Sequence, residues 1–249
     1  MKRFSFIGAL CCMFIAGFAQ AQTRSYAVVS LVGDKLDVVT HQMTTGSIVD
    51  RNVHAAIPVT DGHFDDAALL ASERALARID PKAKISLIAA SPPDWYAKQY
   101  RFFDGVNAAL PADLTAALRT EGATHLLLIS KYHADARLQA DKTKLGSGKL
   151  EGLGFYIDRQ QKMITSDTLK SSIGFLAAYA YLRVSLIDLA TSTVMRTKVT
   201  AASTLRSTAR AEDGLDPWQA MTPAEKLSNV VELLQGEIER LVPEVVVQP

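Results

Sequence analysis

Residues 111–130 read PADLTAALRTEGATHLLLIS. Proline stands near the first turn of a helix over 111–121, and Gly122 falls just past its end, the usual asymmetry of helix termini. The apolar run 124–130 then reads as a buried strand. Helix, glycine stop and apolar strand, in that order, form the return half of a parallel crossover unit, because parallel strands need a long connection between them. The stretch predicts an α/β (α+β) fold, a single mixed β-sheet with amphipathic helices packed on it.

Upstream, YAVVSLV (26–32) and KLDVVT (35–40) flank Gly33-Asp34 and predict a hairpin of two strands. Residues 42–52 are polar and turn-like. HAAIPV (54–59) is a short strand that Pro58 confines to an edge or an end. A helix over 65–79 places Leu69, Leu76 and Ile79 on one face and ends at Pro81. Its opening carboxylates, Asp65 and Asp66, complement the exposed N–H groups of a first turn. ISLIA (85–89) is a buried-type strand. After Asp94, a helix cap, Trp95, Gln99, Phe102, Phe103 and Val106 recur at helical spacing, which reads as a core stripe rather than a ligand box.

Downstream, 133–150 is polar and lysine-bearing with no apolar period, and reads as an exposed insertion extending to about residue 178. Within it 151–157 is strand-like and 159–172 is polar. Two strands, 179–189 and 193–202, surround the turn Ala190-Thr191-Ser192. The apolar run 173–182 is broken by Arg183 and Asp188 too soon to span a membrane. Residues 203–221 read as a mobile loop with Trp218 packing back onto the body. Thr222-Pro223-Ala224-Glu225 is a capping box with proline at the first helical position. The long C-terminal helix it opens carries an apolar stripe of Leu227, Val230, Val231, Leu234, Ile238 and Leu241, with Pro243 as its stop.

The N-terminus reads as a secretory leader over 1–21. Lys2 and Arg3 precede an apolar run from Phe6 to Phe18, and Ala19-Gln20-Ala21 sets a cut before Gln22. The run is shorter than the ~20 residues a membrane anchor needs. Both cysteines, Cys11 and Cys12, lie inside the leader, where Leu10 fits a lipid-attachment site poorly. The mature chain, 22–249, is expected to be a single domain without disulfide or thiolate. It is exported to the periplasm, with secretion the lesser alternative. Loss of Lys2 and Arg3 takes the formal charge from +1 to −1. Near-neutrality gives no footing for nucleic-acid binding.

Candidate chemistry is sparse. Asp61, His63 and Asp65 alternate, and an extended segment would offer a metal two carboxylates and an imidazole. A turn at Asp61-Gly62 followed by a helix cap explains the same residues without a ligand. Ser147 lies between Gly146 and Gly148 but lacks the strand-turn-helix context of a nucleophilic serine. GSGKLEGLGFYIDR (146–159) is not a phosphate loop, since Thr143 and Leu150 replace its first glycine and its hydroxyl residue. A dinucleotide fingerprint fails at Glu151. The glycines read instead as geometry: Gly152 and Gly154 leave one strand face bare for close approach of a backbone or a ring, with Leu153, Phe155 and Ile157 on the other.

Three stretches carry a resemblance: GATHLLLIS (122–130), YLRVSLIDLATSTVMRTKV (181–199) and the C-terminal amphipathic helix. Their order resembles the exported α/β domain shared by the curli-secretion lipoprotein, the lipoprotein activators of penicillin-binding proteins and the N-terminal domain of the Tol-system β-propeller protein. VVSLVGDKLDVV (28–39) and EGLGFY (151–156) are more similar to exported proteobacterial proteins of unassigned function. The lipoproteins' acylated cysteine is missing here, and the segments 26–40 and 133–178 lie outside the minimal domain, so no binding residue carries over. The resemblance implies an envelope interaction or assembly domain rather than an enzyme. The expectation is a non-catalytic module with an envelope protein partner and no cofactor, contacting it through Lys149, Gly152, Gly154 and Tyr156. The alternatives are a metal-assisted hydrolase using Asp61, His63 and Asp65, or a small-ligand carrier using the aromatic segment 95–103.

Overall fold

A strand with no polar face needs neighbours on both edges and cover on both sides. The strand at 25–31 is that case, with all seven residues buried. The computed structural model describes residues 24–43, 51–90, 93–140, 143–164, 171–207 and 216–247. The leader read over 1–21, most of the turn 42–52 and the middle of the loop 203–221 lie outside these.

The chain opens with β1 (Ser25–Leu31), β2 (Lys35–Thr40), β3 (Val53–Pro58), α1 (His63–Ile79) and β4 (Lys84–Ile88). Next come α2 (Pro93–Lys98), a 3-10 turn (Gln99–Phe102), the small pair β5 (Phe103–Asp104) and β6 (Asn107–Ala108), α3 (Ala112–Thr120) and β7 (His125–Lys131). The short strands β8 (His133–Asp135), β9 (Leu138–Ala140) and β10 (Thr143–Leu145) lead into three long ones, β11 (Lys149–Ile164), β12 (Ser171–Asp188) and β13 (Thr193–Ser207). A 3-10 turn (Pro217–Ala220) precedes α4 (Pro223–Val246).

The result is a large mixed sheet with helices on it, the expected α/β class. β1 lies between β4 and β7, parallel to both. The crossover read from 111–130 is therefore present. The spine is β12, paired with β13 along one edge. Its other edge is shared end to end: β11 takes the first half and β7 the second. β2 runs parallel to β11, and β3 closes that side as an edge strand. Residues 149–164 and 171–178, counted by sequence with the insertion, are thus strands of the main sheet.

Four expectations need correction. The hairpin at 26–40 does not form, since β1 and β2 join different halves of the sheet. Asp65 of α1 takes the N–H groups of Val32 (3.1 Å) and Gly33 (3.2 Å), and so claims the turn's donors. The aromatic stripe does not form one helix. Trp95 and Phe102 are core, but the chain leaves the helix at Phe103, and Val106 is 73% exposed. Residues 133–150 are not an exposed polar excursion: Leu138 and Leu150 are buried with Tyr156, Tyr179 and Tyr181. Finally, α4 runs through Pro243 to Val246. Proline inside a helix costs about 3 kcal/mol, but Val242, Val245 and Val246 are buried beyond it, each worth roughly 1.5–3 kcal/mol. On the same helix Leu227 is 44% exposed. Lys226 turns inward instead, 4.2 Å above the Trp218 ring and donating to the Met221 carbonyl at 2.6 Å. Trp218 itself packs against Phe155, as read.

Candidate functional site

One face of the sheet carries α1 and α4 over a continuous core that includes Val28, Leu127, Phe155 and Leu182. The opposite face has two separate covers. α2, the 3-10 turn and α3 bury Val29, Leu128 and Ile187. The strap 133–150 buries Val39, Phe175 and the three tyrosines. Tyrosine hydroxyls peg the strap down: Tyr181 accepts from Arg137 N at 2.8 Å and donates to the Asp135 carbonyl at 3.2 Å, and Tyr156 accepts from Ser147 N at 3.0 Å.

The gap between the two covers falls where β7 ends and β11 begins along β12. A cleft of about 490 Å³ opens there, lined by residues including Tyr96, Tyr100, Ser130, Lys131, Glu151 and Arg183. It stands outside the C-terminal ends of the parallel strands β1 and β7, where open α/β sheets commonly bind ligands. A neighbouring hollow of about 440 Å³ shares Lys35, His133 and Glu151 with it. In that hollow His54 Nδ1 meets Asp37 at 2.8 Å.

The polar groups around the cleft mostly hold one another. Lys131, its side chain 7% exposed, pairs with Asp34. Its aliphatic stem lies across Gly152, where a Cβ would stand 3.1 Å from Cγ and Cδ. Gln99 ties the 3-10 turn after α2 to both parallel strands, donating to the Leu31 carbonyl (3.1 Å) and accepting from Lys131 N (2.7 Å). Behind it Asp65 accepts from the Tyr96 hydroxyl at 2.7 Å. Burial pushes the Asp65 carboxyl above the ordinary range, although its hydrogen bonds pull the other way. Burial, then the Asp65 carboxylate, push the Tyr96 hydroxyl up.

Among the described residues Lys35, His133 and Glu151 stand free on the rim, and Arg183 is the uncommitted group of the floor. It is half-buried, and its guanidinium lies 5.3 Å from the Phe103 ring centre. Among the described residues it makes no ion pair or hydrogen bond. A larger cleft, of about 690 Å³, sits at the opposite end of the strands near Arg24, Thr124, His125 and Asp188. Its inner groups are engaged: Arg24 donates to Tyr26, Thr124 contacts the Ser25 backbone and His125, and Asp188 accepts from Ala190 and Thr191 N. Burial, then Arg24, hold the His125 imidazole below its usual value. Arg119 of the larger cleft is exposed, whereas the uncommitted Arg183 of the smaller one is half-buried, and the smaller cleft is the better candidate.

The residues singled out by sequence fall as follows. Gly154 is covered: a Cβ there would strike the Asp37 carbonyl and lie 2.7 Å from the Tyr179 hydroxyl. Gly152 is covered by Lys131, and Tyr156 is fully buried. These three are buried, and Lys149 is the exposed member of the set, 2.5 Å from Asp135. The metal set is not assembled. Asp61 accepts from His63 N in an exposed turn, His63 packs edge-on to Phe64, and Asp65 points inward to β1. Among the described residues no group of three such side chains could hold a metal. Ser147 contacts His41 Nδ1 at 3.0 Å, but its own N–H is taken by Tyr156. Arg183, Ser130 and Lys131 were missed. Arg183 left a signal, as a charge inside an apolar run on the same strand face as Tyr181 and Ile187.

No protein-family model matches the chain, and no curated protein matches it. Among solved structures it is similar to a putative neuraminyllactose-binding hemagglutinin homolog from Helicobacter pylori: 9% identity, 89% of this chain, 82% of that one, TM-score 0.42. It is also similar to protein XCC0632 from Xanthomonas campestris, of the DUF330 family (10%, 88% and 81%, TM-score 0.36). A third is the hypothetical protein CT253 from Chlamydia trachomatis (12%, 88% and 98%, TM-score 0.31).

Proposed function

We propose that the protein is an exported, non-catalytic binding module of the cell envelope, and that the cleft between the two covers is its binding site. The observation that carries this is the division of labour around the cleft. Asp34, Asp65, Tyr96, Gln99 and Lys131 are committed to holding its shape, and Arg183 is left unpaired on its floor. Groups fixed by one another suit a preformed site. Export to the periplasm is supported by the leader pattern before Gln22. The envelope role is supported by the resemblance to secretion and assembly domains. An envelope partner would approach over the rim, where Tyr100 is 65% exposed and Lys149 and His133 stand clear of the core.

The chain 22–249 has no cysteine, so single cysteines can be labelled cleanly. A bulky maleimide at Tyr100→Cys is expected to abolish co-purification of envelope proteins. The same label at Leu70→Cys, on the exposed side of α1, is expected to leave it intact. Equal effects at both positions contradict the assignment of the cleft. Recovery of a chain that begins before Gln22, or from the cytoplasm, contradicts the export reading.

A further inference from the structure

Arg183 lacks a counterion, and what it does meet prepares it for one. Its contact with the Phe103 ring is a stacked cation on an aromatic face. A guanidinium held that way keeps its in-plane N–H groups available at its edges, in the fork that matches the two oxygens of a carboxylate.

Ser130 is an independent pointer to the same spot. It sits directly opposite Arg183 in the β7–β12 ladder, so the two side chains share a face. Ser130 is 2% exposed and lines the cleft. Its hydroxyl is closed to solvent and has no hydrogen-bond partner, as with Ser25, Ser30, Ser172 and Ser207. Of these five only Ser130 lines the cleft, so a ligand group that displaces the Arg183 side chain would meet it.

The rest of the lining narrows the chemistry. Tyr96, Tyr100 and Phe103 supply an aromatic wall. Lys131, the other cation of the floor, is already neutralised by Asp34. Glu151 adds a second carboxylate to the lining, and Lys35 is the remaining cation on the rim. With Lys131 and Asp34 cancelling, Arg183 and Lys35 face Glu151, an excess of one positive charge that suits a single negative charge and disfavours a phosphate dianion. A volume of about 490 Å³ is in the range of small-molecule sites.

We propose that the cleft binds a small molecule with one carboxylate and an apolar or aromatic body. Arg183 holds the carboxylate through two N–H groups, the Ser130 hydroxyl donates to it, and the body lies along Tyr100 and Tyr96. This deepens, and rests on, the reading of the cleft as the protein's binding site.

The test is calorimetric titration of the purified protein with benzoate, phenylacetate and N-acetylphenylalanine, each against its amide, with inorganic phosphate as a further arm. At least one carboxylate is expected to bind saturably, one per chain, with its amide weaker by about tenfold, the loss of a charged hydrogen-bonded pair. Arg183→Gln is expected to lose about as much, Ser130→Ala a few-fold, and Arg183→Lys is expected to recover only part, because lysine lacks the fork. Thermal melts of each variant report folding. If Arg183→Gln fails to fold, the acid–amide comparison and Ser130→Ala decide. The proposal is overturned if none of the three carboxylates binds saturably, if acid and amide bind alike, if phosphate binds more tightly than the carboxylates, or if folded Arg183→Gln binds as well as the parent. Should the carboxylates fail while a label at Tyr100→Cys still blocks partner capture, the ligand class is wrong and the cleft reading stands.

Discussion

Asp65 is the residue on which the cleft depends. Its carboxylate leaves α1, receives the N–H groups of Val32 and Gly33, and takes the Tyr96 hydroxyl from the far side of the sheet. Burial holds its folded value above the unfolded one. Between those two values the folded state binds the proton more tightly, so this group's contribution to stability falls as pH rises through that window. At neutral pH the buried charge is a cost, offset by three hydrogen bonds. Asp65→Asn keeps an acceptor for the backbone and sheds the charge. It is expected to stay within about 1 kcal/mol of the parent at pH 7. Asp65→Ala leaves two N–H groups and a hydroxyl unpaired and is expected to lose about 2–4 kcal/mol. Denaturant unfolding across pH 4–7 checks both. The stability of the parent relative to Asp65→Asn must rise as pH falls, and a flat difference removes the proposed electrostatic cost. Glycines offer a second test at this scale. Gly154→Ala forces a Cβ against Tyr179 and the Asp37 carbonyl and is expected to cost about 1–3 kcal/mol or more. Gly236→Ala, in open space on α4, is expected to stabilise by about 1 kcal/mol.

At the scale of elements, what was legible was local. The capping box of α4 is present as read, with Thr222 accepting from Glu225 N and Glu225 accepting from Thr222 N. Thr222→Ala is expected to lose about 1 kcal/mol in thermal or denaturant unfolding. The strands at β1, β7, β12 and β13 and the edge position of β3 also follow from short-range composition. What failed was long-range. A glycine turn between two β-type runs reads as a hairpin, but a carboxylate 32 residues beyond Gly33 occupies that turn. The strap looked exposed because its apolar residues are few and lack a period. It is held by tyrosines on β11 and β12, one of them, Tyr181, 44 residues from its partner Arg137. Tyr181→Phe removes one peg. It is expected to raise amide exchange at Arg137 while lowering global stability by about 1 kcal/mol; unchanged exchange there would show that the strap is held by packing alone.

At the scale of the molecule, the site is a consequence of topology. A single long strand, β12, is shared end to end by β11 and β7, so two covers meet on one face without merging. The cleft is the seam between them. No motif encodes it, because Arg183, Ser130, Lys131 and Tyr100 come from three different elements and converge only when the sheet is complete. The sequence pointed to the glycine strand beside the seam, where Gly152 makes room for Lys131. It did not reveal the cation left unpaired.

The central claim is that the seam is where this protein binds. Photo-crosslinking in living cells tests it most directly, with the photoreactive residue placed at Tyr100 on the cleft rim and, separately, at Leu70 on the outer side of α1. A discrete adduct with an envelope protein is expected from position 100, and none from position 70. Adducts from both positions alike, or from position 70 alone, would contradict it.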